Sequence, residues 1–460
     1  MKQLWIKSPL AVFDPEPGPE DCGGGLVIQE NRIIERVPAG QSPKIKNYDI
    51  FDASDLILLP GLINTHHHFY QTLTRAYRHA LNKPLFSWLT NLYPLWANLT
   101  PEMVRVSTQL ACAELLLSGC TTAGDHHYIY SATLSDALDV QAEACADIGI
   151  RAVLTRGSMS LGQDDGGLPP NHIVQTDDEI LYDSERVISR WHDRDPLGMT
   201  QVALAPCSPF SVTPQLMKDT AHLADKENVL LHTHLAETQD ENEFCLSQFG
   251  ARPLDHIESC GWLDEKSWFA HGIHFETEEI RRLGEVSAGV THCPSSNMLL
   301  ASGICQVEAL QEAGVRVGLG VDGSASNDHS NLIEEVRQAM LIQRLRIGLE
   351  DPSQDDHLFG HHQALNLATL GNAAVLYRDK LGKLLPGCAA DLALFKVDEP
   401  RFSGVDDLLA GLVLGGAHNA HHVMVNGQWR VQEGVLLGTD LEQLMAEHGQ
   451  LANQLIANLH

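Results

Sequence analysis

The residues best suited to chemistry in this chain are histidines and acids that follow short apolar runs. Pro60-Gly61-Leu62-Ile63-Asn64-Thr65-His66-His67-His68 closes the first of these runs. In an extended segment, side chains two apart share a face, so His66 and His68 can approach one metal ion while His67 points elsewhere. A later run ends in His232-Thr233-His234-Leu235-Ala236-Glu237, and another leads into Gly320-Val321-Asp322-Gly323. Three imidazoles and a carboxylate, from His66, His68, His234 and Asp322, suit zinc with one position left open for water. Ligand type alone does not select the metal, so Fe2+ and Mn2+ stay as alternatives. The end of the fourth run, Ala203-Leu204-Ala205-Pro206-Cys207-Ser208, holds no lysine of the kind that bridges two metals when modified. One ion per chain is therefore expected, and with it attack of water on an activated ring carbon rather than phosphoester chemistry.

These residues need a scaffold that gathers strand ends. Eight short apolar runs are legible: Leu62–His66, Thr121–Asp125, Ile150–Thr155, Gln201–Ala205, Val229–His234, Ser267–His271, Gly289–Cys293 and Arg316–Val321. Amphipathic stretches such as Pro101–Ser118 and Ser135–Ile148 separate them. Eight strand–helix repeats predict an α/β chain folded as a (β/α)8 barrel of the TIM type, whose chemistry sits at the C-terminal ends of the strands. His66, Asp125, His234, His271 and Asp322 fall at those ends. The flanks read as short strands and turns, and Asn426-Gly427 within Val425–Gln428 is a strong hairpin signal. The expected division is a barrel over 60–381 and a small β-sandwich domain assembled from 1–59 and 382–460, with a C-terminal helix.

Composition narrows the partners. Among 460 residues, 31 basic and 60 acidic side chains give a formal charge of −29. Such a surface repels phosphate backbones and anionic headgroups, so neither nucleic acid nor membrane is an expected partner. No run approaches the roughly 20 apolar residues that span a bilayer, and no secretory signal is visible. The ten cysteines are scattered singly with no CxxC pair, as in a protein whose thiols stay reduced. A cytoplasmic homo-oligomer acting on a small molecule is expected.

PGLINTHHH, HTHLAE, FAHGIH, HCPSSN and GLGVDGSASN, in that order, resemble the amidohydrolase superfamily, specifically its cytosine/guanine/triazine deaminase branch. PGCAADLALF resembles the segment by which that branch returns to its small β domain. The resemblance covers essentially the whole chain. It implies a metal-activated water, with Asp322 binding the metal and taking a proton from that water. His271 would orient the attacking oxygen, and Glu237 would deliver a proton to the ring nitrogen beside the reacting carbon. Glu237, His271 and Gln71 would also contact the substrate. Gln71 stands three residues after His68, as in the HxHxxQ pattern of guanine deaminases, although a structural hydrogen bond is an equally good reading of it. The segments LTRGSMSLG, LAPCSPFSVTP and THCPSSNMLLASGIC are similar to those of enzymes acting on 8-oxoguanine. The implied nucleobase reaction is 8-oxoguanine to urate and ammonia, with guanine, isocytosine, cytosine or a hydroxyatrazine-type triazine as alternatives. Cys207 and Arg156 are read as structural. His126, His127, His274, His292 and His329 cannot all be ligands, and His292 is the one most worth following.

Overall fold

The computed structural model describes residues 3–350, 358–416 and 419–457. Eight parallel strands form one sheet: β1 (Leu62–Asn64), β2 (Cys120–His127), β3 (Arg151–Ser158), β4 (Thr200–Pro206), β5 (Leu231–Leu235), β6 (Ser267–His271), β7 (Gly289–His292) and β8 (Arg316–Leu319). Each strand pairs with the next in sequence order, so the sheet wraps from β1 to β8. Helices follow most of the strands on the outside, which leaves both faces of the sheet buried and makes the strands nearly continuous in apolar or small residues. The eight expected runs are these eight strands, with shifted ends. β1 stops at Asn64, not His66, so His66 and His68 lie in the connection just beyond it.

Backbone and side-chain hydrogen bonds together hold the seam between β8 and β1. Thr65 N–H donates to Leu319 O at 3.2 Å, and Val321 N–H donates to Asn64 Oδ1 at 2.9 Å. Asn372 sits across the gap. It accepts from Leu319 N–H at 2.7 Å and donates to Leu319 O at 2.9 Å and to Ile63 O. An Asn372→Ala change would leave several of these buried groups without partners, at a cost on the order of 3 kcal/mol. The expected result is a clearly lower thermal midpoint; an unchanged midpoint would mean that the seam does not depend on this amide.

Two further sheets form a separate domain. A four-stranded sheet holds Gln3–Lys7, Gly25–Gln29, Arg32–Val37 and Tyr48–Asp52. In a six-stranded sheet, Leu56–Pro60 pairs antiparallel with Leu392–Lys396, joining the two ends of the chain. Ile6, Leu26, Ile28, Leu58, Leu392 and Leu394 share one buried core between the sheets. The Asn-Gly hairpin forms with Asn426 and Gly427 both at positive φ, between His422–Val425 and Gln428–Gln432. The chain enters the barrel at Gly61, where a Cβ would lie 2.2 Å from Thr121 Oγ1, so only glycine fits that approach. The C-terminal helix Leu441–Ala457 turns back to the barrel: His448 pairs with Thr72 Oγ1 at 3.0 Å and Glu447 with Arg105 at 2.8 Å.

Candidate active site

The strand ends converge as expected for a barrel. His66 and His68 follow β1, His234 lies in β5, His271 ends β6 and Asp322 follows β8. Asp322 Oδ1 is 3.3 Å from Nε2 of both His66 and His68, and His68 Nε2 is 3.1 Å from His234 Nε2. His67 turns away, in keeping with the two-residue period, and pairs with Ser330 Oγ at 2.8 Å. All of these residues are buried.

Hydrogen bonds on the far side of two rings settle their protonation. His68 Nδ1 donates to His126 O at 2.6 Å, and His234 Nδ1 donates to Cys207 O at 2.5 Å. A carbonyl only accepts, so a neutral ring must carry its proton on Nδ1 and present a lone pair at Nε2. Burial holds His66 and His234 well below the ordinary histidine range, which keeps them neutral. His66 Nε2 has no hydrogen-bond partner although it is fully buried. Lone pairs and a carboxylate oxygen thus face one another at 3.1–3.3 Å with no proton between them. A cation removes that repulsion, so the donor set fits a metal ion. His66, His68 and Asp322 form one group able to share an ion, and His66, His234 and His271 form another.

Beside this cluster stand the groups able to move protons. His271 Nε2 is 3.6 Å from Glu237 Oε2 and 3.9 Å from Asp322 Oδ2. Its Nδ1 donates to Asn297 Oδ1 at 2.9 Å. Burial, reinforced by the Asp322 charge, pushes the Glu237 carboxyl up to about 8, so it carries a proton at neutral pH when the site holds no cation. Burial opposes ionisation of Asp322 too, yet the close approach of the His66 and His68 rings holds its carboxyl well below the usual range. The two buried acids thus differ in protonation in the metal-free site. Ala236, His271 and Asp322 all adopt left-handed backbone, at φ 53°, 74° and 64°. Non-glycine residues there store strain, and here they aim the functional side chains at strand ends. Glu241 secures the first of these turns by accepting from Ala236 N–H at 3.1 Å and Glu237 N–H at 2.8 Å.

A narrow pocket opens onto the cluster and is lined by His68, His234, Glu237, His271 and Asp322. Gln71 lies in the 3-10 turn Phe69–Thr74 and lines this pocket. Its Oε1 accepts from Ala325 N–H at 3.4 Å, and Gly323 is kept open for it because a Cβ there would lie 2.0 Å away. Leu85, Trp88, Leu89, Phe210 and Leu300 supply apolar walls, and Tyr93, Tyr128, Cys207 and Ser326 further polar atoms. Cys207 departs from its structural reading: it lines the pocket, and its carbonyl anchors His234. Arg156 stays structural, paired with Asp183 at 2.7 Å and stacked 3.7 Å over Tyr130.

Within HCPSSN the residue that reaches the site is Asn297, not His292; His292 is buried and does not line the pocket. His126, His127 and His274 donate to the carbonyls of Ala205, Ile129 and Ser302, and His329 is exposed. Sequence reasoning misses Asn297, Glu241 and the wall helix Leu85–Trp96, which carries no polar motif to mark it.

The fold and this cluster define a class. The model of the amidohydrolase family matches residues 57–430, and the chain belongs to that family. An 8-oxoguanine deaminase from Pseudomonas aeruginosa is 55% identical over 99% of this chain and 100% of its own length. A hydroxydechloroatrazine ethylaminohydrolase from Pseudomonas sp. (strain ADP) is 35% identical over 91% of this chain and 86% of its own. Among solved structures, a zinc-complexed atrazine chlorohydrolase from Arthrobacter aurescens TC1 superposes with a TM-score of 0.90 at 29% identity, covering 98% of this chain and 100% of that one.

Proposed function

We propose that this enzyme is a hydrolytic deaminase of 8-oxoguanine, releasing urate and ammonia. The observation that carries the chemistry is the pairing of a raised carboxyl, Glu237, with a depressed one, Asp322, on the same buried cluster. The substrate follows from the 55% identical relative that matches end to end. His66, His68, His234 and Asp322 would hold one divalent ion; zinc suits these donors, a neighbour of the same fold is complexed with zinc, and iron or manganese would serve the same donor set. When bound, the ion supplies a Lewis acid beside the water nucleophile.

The chain's own residues do the rest. Asp322 takes a proton from the water that attacks C2 of the purine. Glu237 gives its proton to the adjacent ring nitrogen, and His271 hydrogen-bonds the incoming oxygen. Collapse of the tetrahedral adduct breaks the bond from C2 to the exocyclic nitrogen; the proton held by Asp322 leaves with ammonia, and the adduct's hydroxyl proton returns to Glu237 as the C2 carbonyl forms. Gln71 can donate and accept at once, which matches the lactam edge of the base. The apolar walls exclude bulk water and hold the ring plane. Ten unpaired, buried cysteines fit a reducing compartment such as the cytoplasm.

A second reading, removal of an alkylamine from a hydroxytriazine, has the 35% identical relative in its favour. Zinc-loaded protein incubated with 8-oxoguanine should yield urate and an equal amount of ammonia, and chelation should abolish both. Guanine, isocytosine, cytosine and hydroxyatrazine are the comparison substrates. Faster turnover of hydroxyatrazine than of 8-oxoguanine would favour the second reading. Inactivity on all five would sink both.

A further inference from the structure

Two of the three histidines proposed to hold the metal anchor their far nitrogen on a main-chain carbonyl, but His66 does not. Its Nδ1 meets another imidazole, His232 Nε2, at 2.8 Å. His232 is itself buried, and its Nδ1 lies 2.9 Å from Trp268 O. Only one proton arrangement joins neutral rings along this path. The carbonyl of Trp268 must accept, so His232 carries its proton on Nδ1 and offers a lone pair at Nε2. That lone pair in turn requires the proton of His66 on Nδ1, which frees His66 Nε2 toward Asp322.

The path is also stiff. The His232 ring stacks on the Trp268 indole at 4.2 Å between centroids and 14° between planes. Trp268 Nε1 donates to Thr65 O at 3.3 Å, one residue before His66. Thr65 Oγ1 is fixed in turn by Leu319 O at 3.0 Å. His232 and Trp268 therefore grip the ligand histidine at its ring and at the backbone just before it.

We infer that His232 is a positioning residue for the metal centre: it selects the Nε2-ligating tautomer of His66 and fixes its ring through the His66–His232–Trp268 relay. A carboxylate in the same place would do this while adding a negative charge behind the metal. A neutral imidazole adds none, so the ion keeps more of its pull on electrons. This rests on the reading of His66 as a ligand and needs no substrate.

The test is zinc affinity, measured by competition with a chromogenic chelator, alongside thermal melting of each variant. His232→Phe keeps the stack on Trp268 but removes the acceptor, and its zinc affinity should fall about 10–100-fold. His232→Gln can accept from His66 and donate to Trp268 O, and its loss of affinity should stay below about tenfold, the low end of that same effect. His232→Asn, which ends short of His66, should behave like Phe and serves in its place if the Phe variant does not fold. Wild-type affinity in folded Phe or Asn variants would overturn the inference, as would a Gln variant no better than either. Wild-type protein that binds no zinc would overturn the ligand reading as well, whereas inactivity on every nucleobase with zinc affinities as expected would overturn only the deaminase reading.

Discussion

Glu237→Gln should bind zinc normally and turn over 8-oxoguanine about 10³-fold more slowly, within the range set by losing a positioned general acid. The amide matches the carboxyl in size and can still hydrogen-bond a ring nitrogen, so substrate should bind nearly as well. What it cannot do is give up a proton and take it back. The environment explains why this position needs a carboxyl: Glu237 is buried beside the ionised Asp322, and both conditions favour its protonated form. Because the side chain faces His271 at 3.6 Å and stands outside the groups able to share an ion, metal content should be unaffected. Steady-state kinetics and elemental analysis of the same sample check this. A Gln variant with the wild-type rate would remove Glu237 from the proton path, and one that had lost its zinc would make it a ligand instead.

Asp322→Asn should fail differently, losing zinc affinity and turnover together. Among the described residues, Asp322 supplies the one carboxylate in any group able to share an ion. Its Oδ1 faces two histidine nitrogens at 3.3 Å. An amide there contributes no charge to the metal and cannot take a proton from water, so a loss of about 10³-fold or more in turnover is expected. The fold should survive. Asparagine tolerates the left-handed backbone found at this position; its amide oxygen in the place of Oδ1 can still accept from Gly323 N–H, and its amide nitrogen in the place of Oδ2 can donate to Ser326 Oγ. Metal titration, circular dichroism and an ammonia assay separate the outcomes. Full zinc affinity with full turnover would show that the three histidines suffice.

Much of this site is legible in the order of residues alone. The alternation of apolar runs and amphipathic stretches dictates a parallel barrel, because each run must bury both of its faces. The His-x-His spacing, His234 with Glu237 three residues on, and Asp322 after the eighth run mark residues that converge in one cluster. Ligand spacing is a local property, and strand periodicity carries it in the chain itself. His67 facing away from the cluster follows from the same two-residue period.

What escapes the sequence depends on contacts between distant elements. Cys207 reads as structural because one thiol among ten carries no mark of the pocket it lines. His292 is the more suggestive residue of its motif, yet Asn297, five residues later, reaches the site instead. The short helix Pro294–Leu299 turns one inward and leaves the other behind. The strand-end turns at Ala236, His271 and Asp322 adopt a left-handed backbone that non-glycine residues enter only seldom, and their surroundings must hold it.

The sequence by itself determined the barrel, the ligand types and the order in which they arrive. The tertiary structure alone decided which nitrogen of each ring faces the cluster, since that choice is made by carbonyls and an imidazole on other strands. It alone set the two carboxyls apart in their readiness to ionise, because burial and neighbouring charge act through space and leave no trace in spacing.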